Sequence, residues 1–134
     1  MPVSLRLPND DDAPATASAW LERLCEQRQL DRRTAYQLTT CMVEAVNNAA
    51  CYRDEPARGT IVARLYRGRA LWVIQVIDSN SQPPVAAAET PPDPDQLGGR
   101  GGFIMAAWMD AVRYRRTGAR NVVTLAKRVD IGIR

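Results

Sequence analysis

The sequence predicts an α+β domain: a two-layer α/β sandwich in which helices cover one face of a mixed, mostly antiparallel sheet. Three observations point there. Apolar residues alternate by two in some stretches and recur by three and four in others, in the order β-α-α-β-β-loop-α-β-β. Each helical stretch carries a single apolar stripe, so each needs only one surface to cover it. At 134 residues and 46% hydrophobic, the chain reads as one domain, residues 1–134, long enough to bury a core.

The elements follow in order. Val3, Leu5 and Leu7 alternate with polar residues and open the chain as a strand. Residues 9–12 offer N-cap candidates and Pro14 suits a first helical turn. Ala17, Trp20, Leu21, Leu24 and Cys25 then predict a helix over 14–29. Asp31 can cap a second helix, whose stripe is Leu38, Cys41, Met42, Ala45, Val46 and Ala49. Beyond the polar loop RDEPARG, residues 60–66 and 70–78 read as strands, and Gly68 between them marks a hairpin. Residues 79–99, SNSQPPVAAAETPPDPDQLGG, hold Pro83, Pro84, Pro91, Pro92 and Pro94 and show no periodicity. A loop of that length inside a compact domain is unusual and often forms a lid. Its glycine-rich end, GGRGG, leads into a third helix carrying Phe103, Ile104, Met105, Trp108 and Met109. Two final strands, 111–116 and 121–129, turn at Thr117 and Gly118.

Composition removes whole classes of chemistry. The chain has no histidine, which excludes Ser-His-Asp and Cys-His nucleophile systems, most zinc sites and imidazole acid–base work. Catalysis would have to run on carboxylates, amides, backbone groups and a borrowed metal or cofactor. Cys25, Cys41 and Cys51 lack C-x-x-C spacing and lie in or beside apolar helical patterns, as small buried hydrophobes do. Net charge is +3, with basic clusters at 113–116 and 32–33 but only Tyr114 interleaved. That suits a solvated face or an acidic protein partner better than direct nucleic-acid binding. No apolar run approaches a membrane span, and Met1 is followed by no signal-peptide pattern, so the expectation is a cytoplasmic protein that does not insert in a membrane.

Three features resemble parts of a site. On the second helix Glu44 and Asn48 lie one turn apart on one line bordering the apolar stripe, whereas Asn47 points to solvent. The bland alternative is a local polar pair satisfied by backbone. Asp78 ends the very apolar strand LWVIQVID, either as a turn former or as a buried acceptor for a ligand N–H. GGRGG before a helix can cradle phosphate with backbone N–H groups, or can serve as a hinge.

Their order and spacing together resemble the GHKL ATPase superfamily. Within it the chain is similar to the small anti-sigma-factor serine kinases of bacterial partner-switching systems. EAVNNA (44–49) resembles that family's N-box, VIDSNSQPP (76–84) stands where its first glycine box belongs, and GGRGGFIMAAWMDAV (98–112) resembles the second glycine box and the helix after it. The resemblance implies a single histidine-kinase-like ATPase domain with a lid at about 79–99. It implies ATP and Mg²⁺ as cofactors, with Glu44 as general base and Asn48 as the Mg²⁺ ligand. Asp78 would accept the adenine amino group. Asn80, Gly99, Arg100, Gly101, Gly102 and Thr124 would complete the nucleotide site. The implied partners are a STAS-domain anti-anti-sigma protein and a sigma factor, with a second copy of the chain in a homodimer. Where the family has Asp-x-Gly-x-Gly, this chain has Asp78-Ser79-Asn80-Ser81-Gln82. A non-catalytic partner-binding module of the same fold, and an ATPase without a protein substrate, are the rival readings.

Overall fold

The computed structural model describes residues 2–57, 59–83 and 100–129. The elements are β1 (Val3–Pro8), α1 (Ala13–Gln27), α2 (Arg32–Cys51), β2 (Thr60–Arg67), β3 (Leu71–Asp78), α3 (Arg100–Trp108), β4 (Ala111–Thr117) and β5 (Arg120–Arg128). The expected order holds, with boundaries shifted by one to three residues.

The strands form one sheet in the order β1-β2-β3-β5-β4. Every neighbouring pair is antiparallel, so the expected mixture of directions is absent among the described strands. Side chains alternate faces along each strand. The inward rows include Leu7, Ile61, Ala63, Leu65, Trp72, Ile74, Val76 and Leu125, all essentially inaccessible. Against them pack the stripes of α1 (Ala17, Leu21, Leu24, Cys25) and α2 (Leu38, Cys41, Met42, Ala45, Val46), joined by Met105 of α3. The helices thus lie on one face, and Asn47 is exposed as its helical position requires.

Local chemistry sets the joints. Asp31 caps α2 by accepting the Thr34 N–H at 3.4 Å. Asp12 precedes α1 but makes no side-chain cap; instead Asp10 Oδ1 accepts the Asp12 N–H and shapes the approach. α1 closes through a Leu30 N–H to Cys25 carbonyl bond of 3.1 Å, with Gln29 at φ 54° in the left-handed region usually given to glycine. That reversal permits the short joint to α2. At the β2–β3 turn a Cβ on Gly68 would come within 2.6 Å of the Leu71 carbonyl oxygen, so a side chain is barred there. Gly118, at φ 61°, supplies the first position of the β4–β5 turn. Asp110 accepts the Arg128 N–H and donates its own N–H to the Ala126 carbonyl, which registers β4 against β5.

The cysteines divide. Cys25 and Cys41 are buried, but Cys51, at the end of α2, is exposed, contrary to the expectation of three buried thiols. The apolar stripe ends at Ala49 and Ala50, one residue before it.

Because Ile74 is fully buried in the central strand and Gln75 faces away from the helices, the two positions should respond differently. Ile74→Ala is expected to cost about 2–5 kcal/mol in urea unfolding. Gln75→Ala is expected to stay within about 0.5 kcal/mol of the parent.

Candidate functional site

β3 delivers its carboxylate to the helix side. Trp72, Ile74 and Val76 occupy the inward row, and period-two alternation puts Asp78 in the next inward slot, with 6% of its surface exposed. Its register partner on β5 is Asn121. The Asn121 carboxamide donates to Asp78 Oδ1 at 2.8 Å, and the Asn80 backbone N–H donates to the same oxygen at 2.9 Å. Burial pushes the Asp78 carboxyl above its ordinary range. The bonds from Asn121 and Asn80 and the positive charge of Arg116 oppose that rise, and Asp54 adds to it.

Asn80 is the hub of the surrounding network and is 2% exposed. Its Nδ2 donates to the Ala49 carbonyl at the end of α2 (2.8 Å), and its Oδ1 accepts from Asn9 after β1 (2.9 Å). Its carbonyl accepts from Arg116 (2.9 Å) and Asn121 (3.2 Å). Among the described residues Gln29 is the non-glycine residue with positive φ. Asn80 therefore does not stand in for a glycine by adopting a left-handed backbone. Its side chain instead ties β1, α2 and β3 together. Nearby, Asn121 also donates to the Gln82 carbonyl at 2.7 Å and accepts from Arg116 at 2.8 Å, while Ser81 is held to Asp54 through its N–H and hydroxyl.

A small cavity of about 30 Å³ opens beside Asp78. Its apolar wall is Ala45, Ala49, Met105 and Val123; its polar lining includes Asn48, Asn80 and Asn121. The Tyr114 hydroxyl, on the same lining, is buried without a hydrogen-bond partner. A carboxylate, a carboxamide and an unpaired phenol thus converge on an apolar slot.

The sequence-predicted residues scatter around this slot. Asp78, Asn80 and Asn48 line it. Glu44, one turn before Asn48, lines a different space, the groove between α1 and α2, where Glu22, Glu26 and Arg32 also lie. The expectation that Thr124 belongs to the nucleotide site is corrected. Thr124 pairs with Gln75 on the helix-free face, because alternation along β5 gives the inward slots to Asn121 and Val123. Gly99, and all of the expected lid except residues 79–83, lie outside the described residues. Arg100, Gly101 and Gly102 form the first turn of α3 instead of preceding it. Sequence reading missed Asn9, Tyr114, Arg116 and Asn121. The available signal was Asn121 and Arg116 at inward positions of β5 and β4, where the alternation calls for apolar residues.

The buried thiols offer no chemistry. Burial, with Glu22 adding to it and Thr39 opposing, pushes Cys25 up to about 11. Cys41 is pushed up to about 12 by burial, against the pull of Lys127 and with the help of Glu44. Both stay protonated at neutral pH. Among the described residues no three His, Cys, Asp or Glu side chains cluster as a metal site would require.

Residues 7–127 match the histidine kinase-like ATPase domain family, and the chain belongs to it. Among solved structures it is similar to the RsbU and RsbW domains of Rv1364c from Mycobacterium tuberculosis, at 18% identity and a TM-score of 0.72. The match covers 96% of this chain and 32% of that one, so the chain spans about a third of its length. No curated protein matches the sequence. No helix among the described residues is long and apolar enough to cross a membrane.

The cavity's donor set fits a purine: a desolvated carboxylate for an amino group, apolar walls for ring faces, and a phenol without a partner. Its volume does not yet fit one, since ligand sites usually offer roughly 300–1,000 Å³. Gln82 and Pro83 are exposed residues on its lining.

Asp78→Asn isolates the charge, because an Asn Oδ1 can still accept from Asn80 and Asn121. With its pKa raised, the folded state holds this proton more tightly than the unfolded chain, so Asp78 subtracts stability as pH rises. The loss starts near the ordinary value of about 3.9 and is complete above the raised one. The stability of Asp78→Asn relative to the parent is therefore expected to increase from acid through that window and level off by neutral pH, in urea melts at stepped pH.

Proposed function

We propose that the protein is an ATP-dependent serine-protein kinase and anti-sigma factor, which phosphorylates a STAS-type anti-anti-sigma partner and sequesters a sigma factor. Membership of the ATPase family supports the nucleotide. The likeness in fold to a chain containing an RsbW domain supports the partner-switching class. The observation that carries the reading is Asp78, a buried carboxylate on a cavity it shares with Asn48.

Asp78 accepts the amino hydrogen of the base, and the apolar wall of Ala49, Met105 and Val123 excludes water from its ring. Asn48 presents its amide oxygen to Mg²⁺, a hard ion that needs few protein ligands when phosphate oxygens supply the rest. When bound, the Mg²⁺·nucleotide supplies the phosphoryl group and neutralises its charge. Glu44, half-buried and without a hydrogen bond or ion pair among the described residues, receives the proton of the attacking seryl hydroxyl. The second glycine box, Gly99 to Gly102 with Arg100, supplies phosphate contacts in this reading.

A second reading, a non-catalytic partner-binding module, is favoured by a separate observation. Asn80 and Gln82 stand where the family's glycines would be, and Asn121 is hydrogen-bonded to Asp78 and to Gln82 across the slot. Phosphotransfer from labelled ATP to the cognate STAS partner separates the two. The kinase reading expects transfer in the parent and a loss of at least about 100-fold in Glu44→Ala, the range of general-base catalysis. An equally active Glu44→Ala overturns Glu44 as the base; no transfer leaves the binding module, and calorimetry with an ATP analogue and Mg²⁺ then reports whether nucleotide binds at all.

A further inference from the structure

The helix-free face of the sheet holds a feature that the proposed function does not use. Arg6, Arg64, Arg113, Arg115, Arg120 and Arg128 all sit at outward positions of the strands, and no Asp or Glu does on any of the five. Arg6, Arg64 and Arg120 line a concavity of about 410 Å³ at the end of the sheet where β3 finishes. Arg6 pairs with Val62 and Ser4 with Arg64, which makes Arg6 and Arg64 diagonal neighbours on one face, roughly 7–8 Å apart by strand geometry. Arg120 adjoins Asn121, the partner of Asp78, and so stands across from Ser79. The hydroxyls of Ser4, Thr60 and Ser79 share the lining, and Val62 and Ile77 add apolar surface to it. None of the three arginines takes part in the ion pair or the side-chain hydrogen bonds found among the described residues; the ion pair there joins Arg53 to Asp11.

Three guanidiniums in one concavity repel each other, and like charges facing across strands destabilise a sheet. An anion turns the same arrangement into an attraction. The planar fork of arginine matches phosphoryl oxygens two at a time, and hydroxyl donors complete such a shell. We propose that this concavity is a binding site for a phosphoryl group, separate from the Asp78 cavity and on the opposite face of the sheet. The two share backbone: Ser79 lies between Asp78 and Asn80, and Arg120 precedes Asn121. Gly59, at φ 62°, brings the preceding loop to Ser79; a Cβ there would lie 3.4 Å from the Ser79 hydroxyl oxygen. The site does not depend on the kinase reading.

The test is a titration of the ¹⁵N-labelled protein with pyrophosphate, inorganic phosphate and O-phosphoserine, against sodium chloride at matched ionic strength. Saturable shifts are expected at the amides of Arg6, Gly59, Thr60, Ser79 and Arg120. Arg64→Ala and Arg120→Ala are each expected to weaken binding about 10-fold or more, the loss of one charged hydrogen-bonding group. Arg64→Lys, which keeps the charge and the packing but loses the fork, should fall between. Arg113→Ala, on the same face but off the concavity, should titrate as the parent does, and well-dispersed spectra report folding in each case. Tighter binding of pyrophosphate assigns a polyphosphate source, and of O-phosphoserine a phosphorylated side chain; either supports the site. Shifts that rise linearly, that chloride reproduces, or that survive both alanine substitutions unchanged overturn it.

Discussion

A carboxylate taken out of water at the end of a central strand is the constraint on which the rest of the site depends. Asp78 reaches the helix side because strand alternation leaves it there, and it stays because Asn121 and the Asn80 backbone both donate to its Oδ1. Desolvation still raises its pKa, so these bonds do not fully compensate its burial. A group held against its own solvation preference, next to an apolar slot with an unpartnered phenol, is the pattern expected of a residue kept for a ligand.

The network around that carboxylate explains how a departure from the family's glycine pattern can persist without loss of the fold. Glycine would grant backbone freedom, but this chain spends the position differently. Asn80 binds Ala49 and Asn9, and Arg116 binds both the Asn80 carbonyl and Asn121. The Asn80 carboxamide joins the end of α2 to the segment after β1, and its backbone carbonyl takes bonds from β4 and β5. The same chemistry that stiffens this end of the sheet leaves the cavity narrow, so rigidity and nucleotide access compete at Asn80, Asn121 and Gln82.

Much of the fold was legible because it rests on periodicity. The inward rows of β2 and β3 and the stripes of α1 and α2 are apolar at the required spacing, and Asp31 announced the start of α2. Asp78 and Asn48 were legible as polar residues at the margin of apolar patterns. What stayed hidden depends on pairing across the sheet. Asn121 breaks the apolar alternation of β5, but its partner Asp78 is identified only when β5 is set between β3 and β4 in register, and the same register sends Thr124 to the other face. Asn9 read as a capping residue because its partner lies 71 positions away. Cys51 read as buried because a stripe does not mark its own last turn. Glu44 and Asn48 share a helical line, yet neighbouring elements divide them between two spaces.

In the proposed function Asp78 accepts from the amino group of a purine. Comparing ATP with inosine triphosphate in calorimetry on the parent protein tests it most directly, because the two differ at the position the carboxylate would read. A site built around that hydrogen bond predicts ATP binding tighter by about 100-fold or more, since the inosine carbonyl would face a buried carboxylate. Equal affinities for the two nucleotides would contradict the account.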